Sequence, residues 1–137
     1  MSAVVDASVL VAAVADAGTE GRWAEEVLAH GGIVAPHLVL VEATNILRRL
    51  ERSRELTRIE AGAAQRDLIH LDIDLLPFEP FAERVWELRR NVTSYDAWSV
   101  AIAEAFALPL ATLDRRLAHA PGPSCRFLVP RRGAPAD

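Results

Sequence analysis

Four carboxylates carry the chemistry this sequence is equipped to do: Asp6, Glu42, Asp96 and Asp114. Asp6 ends a run of small and β-branched residues, Ala3-Val4-Val5. Asp114 follows a second short apolar run, Leu108-Pro109-Leu110-Ala111-Thr112. Glu42 and Asp96 fall in the first turns of helices that open after Pro36-His37 and Thr93-Ser94. Buried parallel strands end on the rim where such helices begin, so all four acids are expected on one edge of a sheet. Packed together they repel one another, and a proton or a divalent cation is the usual remedy. An all-oxygen donor set favours a hard cation, Mg²⁺ or Mn²⁺, over zinc. An ion held this way can acidify water and stabilise the charge that builds on a phosphodiester during in-line attack.

The elements that must position these acids read as one α/β domain over residues 1–130, with a frayed tail from Arg131 to Asp137. Strand, helix and turn signals alternate along the chain, predicting a short, mostly parallel sheet of four to five strands flanked by helices. Helices are expected over Val9–Ala15 with Ser8 as N-cap, Thr19–His30 with Thr19 as N-cap, and His37–Glu51. Leu38, Val41, Ile46, Leu47 and Leu50 would supply apolar contacts from the third. Thr57-Arg58-Ile59-Glu60 is a capping box that starts a further helix to Ile69. Phe78–Arg90 and the stretch after Thr93-Ser94 are also helical, and Arg115–Ala118 is a short helix. Leu71–Leu76 alternates apolar and acidic residues, as an edge strand with one wet face does, Asp72 and Asp74 discouraging further pairing. Arg126–Val129 supplies a last strand.

With 137 residues, 51% hydrophobic content and a mean hydropathy of +0.14, the chain can bury a core and is not a disordered one. No apolar run reaches membrane-spanning length and no secretory signal pattern precedes Asp6, so a cytoplasmic protein with no membrane role is expected. A lone Cys125 cannot form an internal disulfide and reads as a small residue near the last strand. The net charge of −4 gives no overall basic footprint, yet acidic metal sites lower net charge while local arginines still hold phosphates. There is no lysine; all 15 basic residues are arginine. That excludes a receiver-type phospho-acceptor and disfavours a haloacid-dehalogenase-type phosphatase. The latter also wants a second acid two residues after the first, where this chain has Ser8.

Val5-Asp6-Ala7-Ser8, Val41-Glu42-Ala43-Thr44-Asn45-Ile46-Leu47, Tyr95-Asp96-Ala97 and Ala111-Thr112-Leu113-Asp114-Arg115-Arg116-Leu117 together resemble the motifs of PIN-domain proteins. The length and coverage, residues 2–129, are similar to the VapC toxins of type II toxin–antitoxin modules. The resemblance implies a PIN-like three-layer sandwich and a Mg²⁺-dependent endoribonuclease, with Mn²⁺ as an alternative ion. It further implies a homodimer held inactive by a VapB-type antitoxin. On its motifs Asp6, Glu42, Asp96 and Asp114 are the acidic set, with Asp6, Asp96 and Asp114 toward the metal. Ser8 and Thr112 are polar neighbours of that site and Asn45 supports Glu42. Many relatives carry a further acid just after the position of Asp114, where this chain has Arg115, Arg116 and Leu117.

Each of these residues also has a plainer reading. Asp6 and Asp114 fit helix starts, Glu42 and Asp96 fit helix-dipole partners, and Thr112 fits an ordinary strand threonine. Arg48, Arg49, Arg52 and Arg54, like Arg115 and Arg116, are either a solvated face or contacts to RNA phosphates or an antitoxin. His30, His37, His70 and His119 show no ligand spacing, and Trp23, Trp86 and Trp98 fit core or interface anchors. The competing function is a non-catalytic PIN-like RNA- or protein-binding module. It would require an acid set that is incomplete or badly placed; the sequence carries all four.

Overall fold

A computed structural model describes residues 2–131; the expected fraying of the tail falls almost wholly outside them. Five strands, β1 (Ala3–Val5), β2 (Ile33–Pro36), β3 (Asp74–Leu76), β4 (Leu110–Ala111) and β5 (Phe127–Leu128), form one sheet in the order β3-β2-β1-β4-β5. Every pairing is parallel, so the sheet is wholly rather than mostly so. Parallel neighbours need long crossovers, and seven helices supply them: α1 (Ala7–Ala15), α2 (Thr19–Ala29), α3 (Val39–Arg52), α4 (Arg58–Ile69), α5 (Ala82–Glu87), α6 (Ser94–Phe106) and α7 (Arg115–Ala118).

Strand alternation divides the core into two layers. Val5, Ile33, Ala35 and Ala111 point into a cluster with Leu10, Ala24, Leu47 and Leu68 of α1–α4. Val4 and Leu110 point the other way, among Val85, Val100, Ile102 and Leu117 of α5–α7. Because side chains alternate at period two, three-residue strands are enough to bury both faces. The alanines of the helices let them lie close on so small a sheet. α1 and α2 approach so tightly that a Cβ on Gly21 would lie 1.7 Å from the Asp16 carbonyl oxygen.

Several local expectations change. Helix α1 begins at Ala7, and its N-cap is Asp6, whose carboxylate accepts from the Val9 amide, not Ser8. Gly18, without a side chain to contribute, precedes α2, and Thr19 is its first helical residue. α3 starts at Val39, and Val39, Ala43 and Leu47 face the core, one helical turn apart. Leu38 and Val41 sit on the flank of that stripe and remain 43% and 65% exposed. The stretch after Phe78 breaks into a 3₁₀ turn, Glu79–Phe81, and the six-residue α5. A helix that short buries little, and Trp86 lies 67% exposed with the Arg89 guanidinium 4.5 Å above its ring. Trp98 is in the core layer under α5–α7, and Trp23 packs against the opposite layer under α1–α4.

The capping box at Thr57 and Glu60 forms with both its hydrogen bonds, and β3 is one of the two edge strands, with Asp72 and Asp74 exposed. Arg84 clamps α5 to α6 through two hydrogen bonds to Glu104, which also accepts from the Ser124 amide and hydroxyl. Cys125 lies half-buried beside β5, where desolvation pushes its thiol up to about 11. Among the described residues no helix is long and apolar enough to cross a membrane.

Candidate active site

The chain runs β1 to β2 to β3 in one direction, then returns to the other side of β1 for β4 and β5. The reversal lies between β1 and β4, and crevices in open α/β sheets form outside the carboxyl ends of strands at such a point. Asp6 follows β1 directly and Asp114 lies three residues past β4. The first turns of α3 and α6 bring Glu42 and Asp96 to the same place. All four acids line one cleft of about 170 Å³, together with Ser8, Ile46, Tyr95 and Ser99.

Asp6 is held most tightly. It is 8% exposed, and Ser8 donates its hydroxyl to Oδ1 at 2.5 Å while the Thr112 hydroxyl donates to Oδ2. Ser8 Oγ in turn accepts the Leu113 amide at 3.1 Å, and Thr112 Oγ1 accepts the Asp114 amide at 3.0 Å. The two hydroxyls thus tie the end of β1 to the end of β4. Thr112, which as a sequence position looks like an ordinary strand residue, is wholly buried and central to this link. Asp114 is exposed, and its Oδ1 caps α7 by accepting from the Arg116 and Leu117 amides.

Burial raises the Asp6 pKa, and the hydrogen bonds from Ser8, Thr112 and Val9 oppose that only in part. Glu42 is raised by desolvation, then by the charges of Asp96 and Asp6. Asp96 is raised by desolvation and by Asp6, with the Thr93 cap opposing and Asp114 adding to the rise. Among the described residues the ion pairs are those of Arg84, so none of the four acids has a basic partner. A half-desolvated acidic cluster with no counter-charge suits a hard divalent cation. Lining one cleft is still not convergence on one point. As the side chains stand, no group of three or more His, Cys, Asp or Glu among the described residues is disposed to hold an ion. Asp6 Oδ1 and Oδ2 each accept from a hydroxyl and Asp114 Oδ1 caps a helix. An ionised carboxylate has about four lone-pair sites, so these bonds leave both acids able to ligate. Bringing several of the acids to one ion requires movement of the less constrained side chains or bridging water.

The remaining candidates are spread out. Asn45 is exposed and, with Arg49, lines a neighbouring cleft that shares Glu42, Ile46 and Tyr95 with the first. Arg48 and Arg116 are exposed and absent from the walls of either cleft, and Arg115 donates to the Pro130 carbonyl at 2.7 Å. Two site residues had no role assigned from sequence. Ser99 lies three residues after Asp96 on the same helical face, a spacing that pointed to it. Tyr95 adjoins Asp96, and nothing in its spacing marked it.

The sequence matches the PIN domain family over residues 3–123. It is 40% identical to Ribonuclease VapC1 of Mycobacterium tuberculosis over 129 residues, 93% of this chain and 97% of that one. It is 36% identical to VapC ribonuclease Mb0985 of Mycobacterium bovis over 93% of this chain and 98% of that one. Among solved structures, PAE2754 from Pyrobaculum aerophilum superposes with a TM-score of 0.63 at 30% identity, covering 86% of each chain. FitAcB from Neisseria gonorrhoeae superposes at 0.66 over 95% of this chain and 98% of that chain; at 17% identity this likeness concerns the fold. A parallel sheet that reverses between β1 and β4, four acids at that reversal, and sequence identity over nearly the whole length agree: the chain belongs to the PIN-domain family, as a VapC-type member.

Proposed function

We propose that this protein is a metal-dependent endoribonuclease, the toxin of a type II toxin–antitoxin pair, that hydrolyses RNA phosphodiester bonds. The observation that carries the reading is the cleft in which desolvation raises the pKa values of Asp6, Glu42 and Asp96, the charge of Asp6 adding to the rise of the other two, with no basic side chain among the described residues paired to them. The names of the relatives at 36–40% identity point the same way. Asp6, Asp96 and Asp114 would hold Mg²⁺ or Mn²⁺, directly or through water. When bound, the cation supplies Lewis acidity, easing deprotonation of water and neutralising charge on the phosphoryl oxygens. Ser8 and Thr112 fix the Asp6 carboxylate so that it need not reorganise during the reaction. Glu42, whose raised pKa brings it nearer to working pH, accepts a proton from the attacking water as the P–O bond to the leaving oxygen breaks. A VapB-type antitoxin and a second copy of the chain are its partners in this reading.

The test is cleavage of RNA by purified, partner-free protein with Mg²⁺, with Mn²⁺ and with EDTA, beside Asp6→Asn. Cutting that requires metal and disappears in the variant supports the reading. Equal behaviour of the two proteins across a broad RNA panel rejects it in favour of a binding module.

A further inference from the structure

Three clefts meet at Tyr95: the acid cleft, an apolar one beside Phe78 and Trp98, and one along the exposed side of α3. Tyr95 is the one residue in all three walls, and it is 56% exposed. Only the third has an arginine in its wall. Arg49 lies there with Leu38, Val41, Asn45 and Tyr95, around a volume of about 390 Å³, within the roughly 300–1,000 Å³ of ordinary ligand sites. Glu42, Asn45 and Arg49 follow one another at helical spacing on one face of α3. Two turns separate Glu42 from Arg49, about 10.5 Å along the axis.

An acidic catalytic cleft repels the polyanion it is to cut, so a positive group beyond the acids is needed to hold the strand. Arg49, which has no ion pair among the described residues, meets that need. An aromatic face beside it offers the stacking that single-stranded nucleic acid seeks, and an amide offers donor and acceptor to a base edge. Building on the ribonuclease reading, we propose that this cleft is the binding site for the nucleotide next to the scissile phosphate: Arg49 pairs with its phosphate, Tyr95 stacks on its base and Asn45 hydrogen-bonds the base edge. Tyr95, shared with the acid cleft, then sets the position of the cut phosphate relative to Asp96, the next residue in α6. These three side chains select the sequence that is cleaved.

The test combines Mg²⁺-dependent cleavage of a random-sequence single-stranded RNA, read at nucleotide resolution, with anisotropy of a short fluorescent RNA in EDTA. Arg49→Ala should raise KM about tenfold with kcat nearly unchanged, and lower the salt dependence of binding by about one phosphate contact. Tyr95→Ala should weaken RNA binding about tenfold while Tyr95→Phe stays within about twofold. Asn45→Ala should broaden base preference at one position beside the cut. Urea midpoints and sedimentation report that the variants are folded and unchanged in assembly. Wild type that cuts RNA while all three variants match it in KM, salt slope and preference overturns the subsite and leaves the ribonuclease reading intact. RNA binding that depends on Arg49 and Tyr95 without any cutting ends the ribonuclease reading and overturns the subsite's place beside a scissile phosphate, leaving an RNA-binding face. A changed sedimentation coefficient with unchanged RNA affinity per folded site overturns the subsite too, and makes this face a protein interface.

Discussion

Thr112→Val removes one oxygen from a wholly buried position without changing its shape, which isolates what that oxygen does. Two hydrogen bonds go with it: the donation to Asp6 Oδ2 and the acceptance of the Asp114 amide at 3.0 Å. A bond to a charged group contributes roughly 1.5–3 kcal/mol and a neutral one roughly 0.5–1.5 kcal/mol. The Asp114 amide lies near solvent and water can replace its partner, so its loss counts at the low end. Asp6 Oδ2 is buried and has no substitute. The sum is about 2–4 kcal/mol, and with a urea m-value of about 2 kcal/mol/M it lowers the midpoint by roughly 1–2 M. The measurement is urea unfolding in EDTA at neutral pH, with Thr112→Ser alongside to keep the hydroxyl while losing only a methyl. The cost should shrink as pH falls, because Asp6, whose pKa burial raises, takes up a proton and no bare charge is stranded. A valine variant within about 0.5 kcal/mol of wild type, or a serine variant that costs more than the valine one, refutes the reasoning.

The acid cleft should also make the metal-free protein pH-sensitive. Asp6, Glu42 and Asp96 hold protons more tightly when folded than at their ordinary values of 3.8 and 4.5. Stability therefore falls as pH rises from that range through the raised values, and stays lowered above them. A Tm–pH profile in EDTA should show this slope, flattened in Asp6→Asn and lessened by Mg²⁺; a profile rising toward neutral pH contradicts it. Gly21→Ala drives a Cβ into the Asp16 carbonyl and should cost at least about 2 kcal/mol by separating α1 from α2, read as a lower urea midpoint. Ala107 ends α6 at φ 54°, where an L side chain is strained, so Ala107→Gly should raise stability by about 0.5–1 kcal/mol; a loss would mean the strain is compensated elsewhere.

Much of this protein is local in origin and so was legible in the chain. Short apolar runs flanked by turn formers and helix starts read as strands buried between helices, and strands, helices and parallel order followed. The Thr57–Glu60 capping box and the α7 start at Arg115 depend on residues within one turn, and both formed as written. The acids' shared edge followed as well, since every strand of a parallel sheet ends on the same side. Other properties depend on neighbours distant in sequence. Asp6 and Thr112 are 106 positions apart, and only the β1–β4 pairing makes Thr112 a hydrogen-bond donor to a buried carboxylate. Leu38, Val41 and Trp86 have the composition of core residues, but the core they would join is already filled by Val39, Ala43 and Val85. Spacing within α3 could align Asn45 and Arg49 with Glu42, but could not say what stood opposite. That was decided by packing, which set the start of α6 against α3 and made Tyr95 the common wall of three clefts.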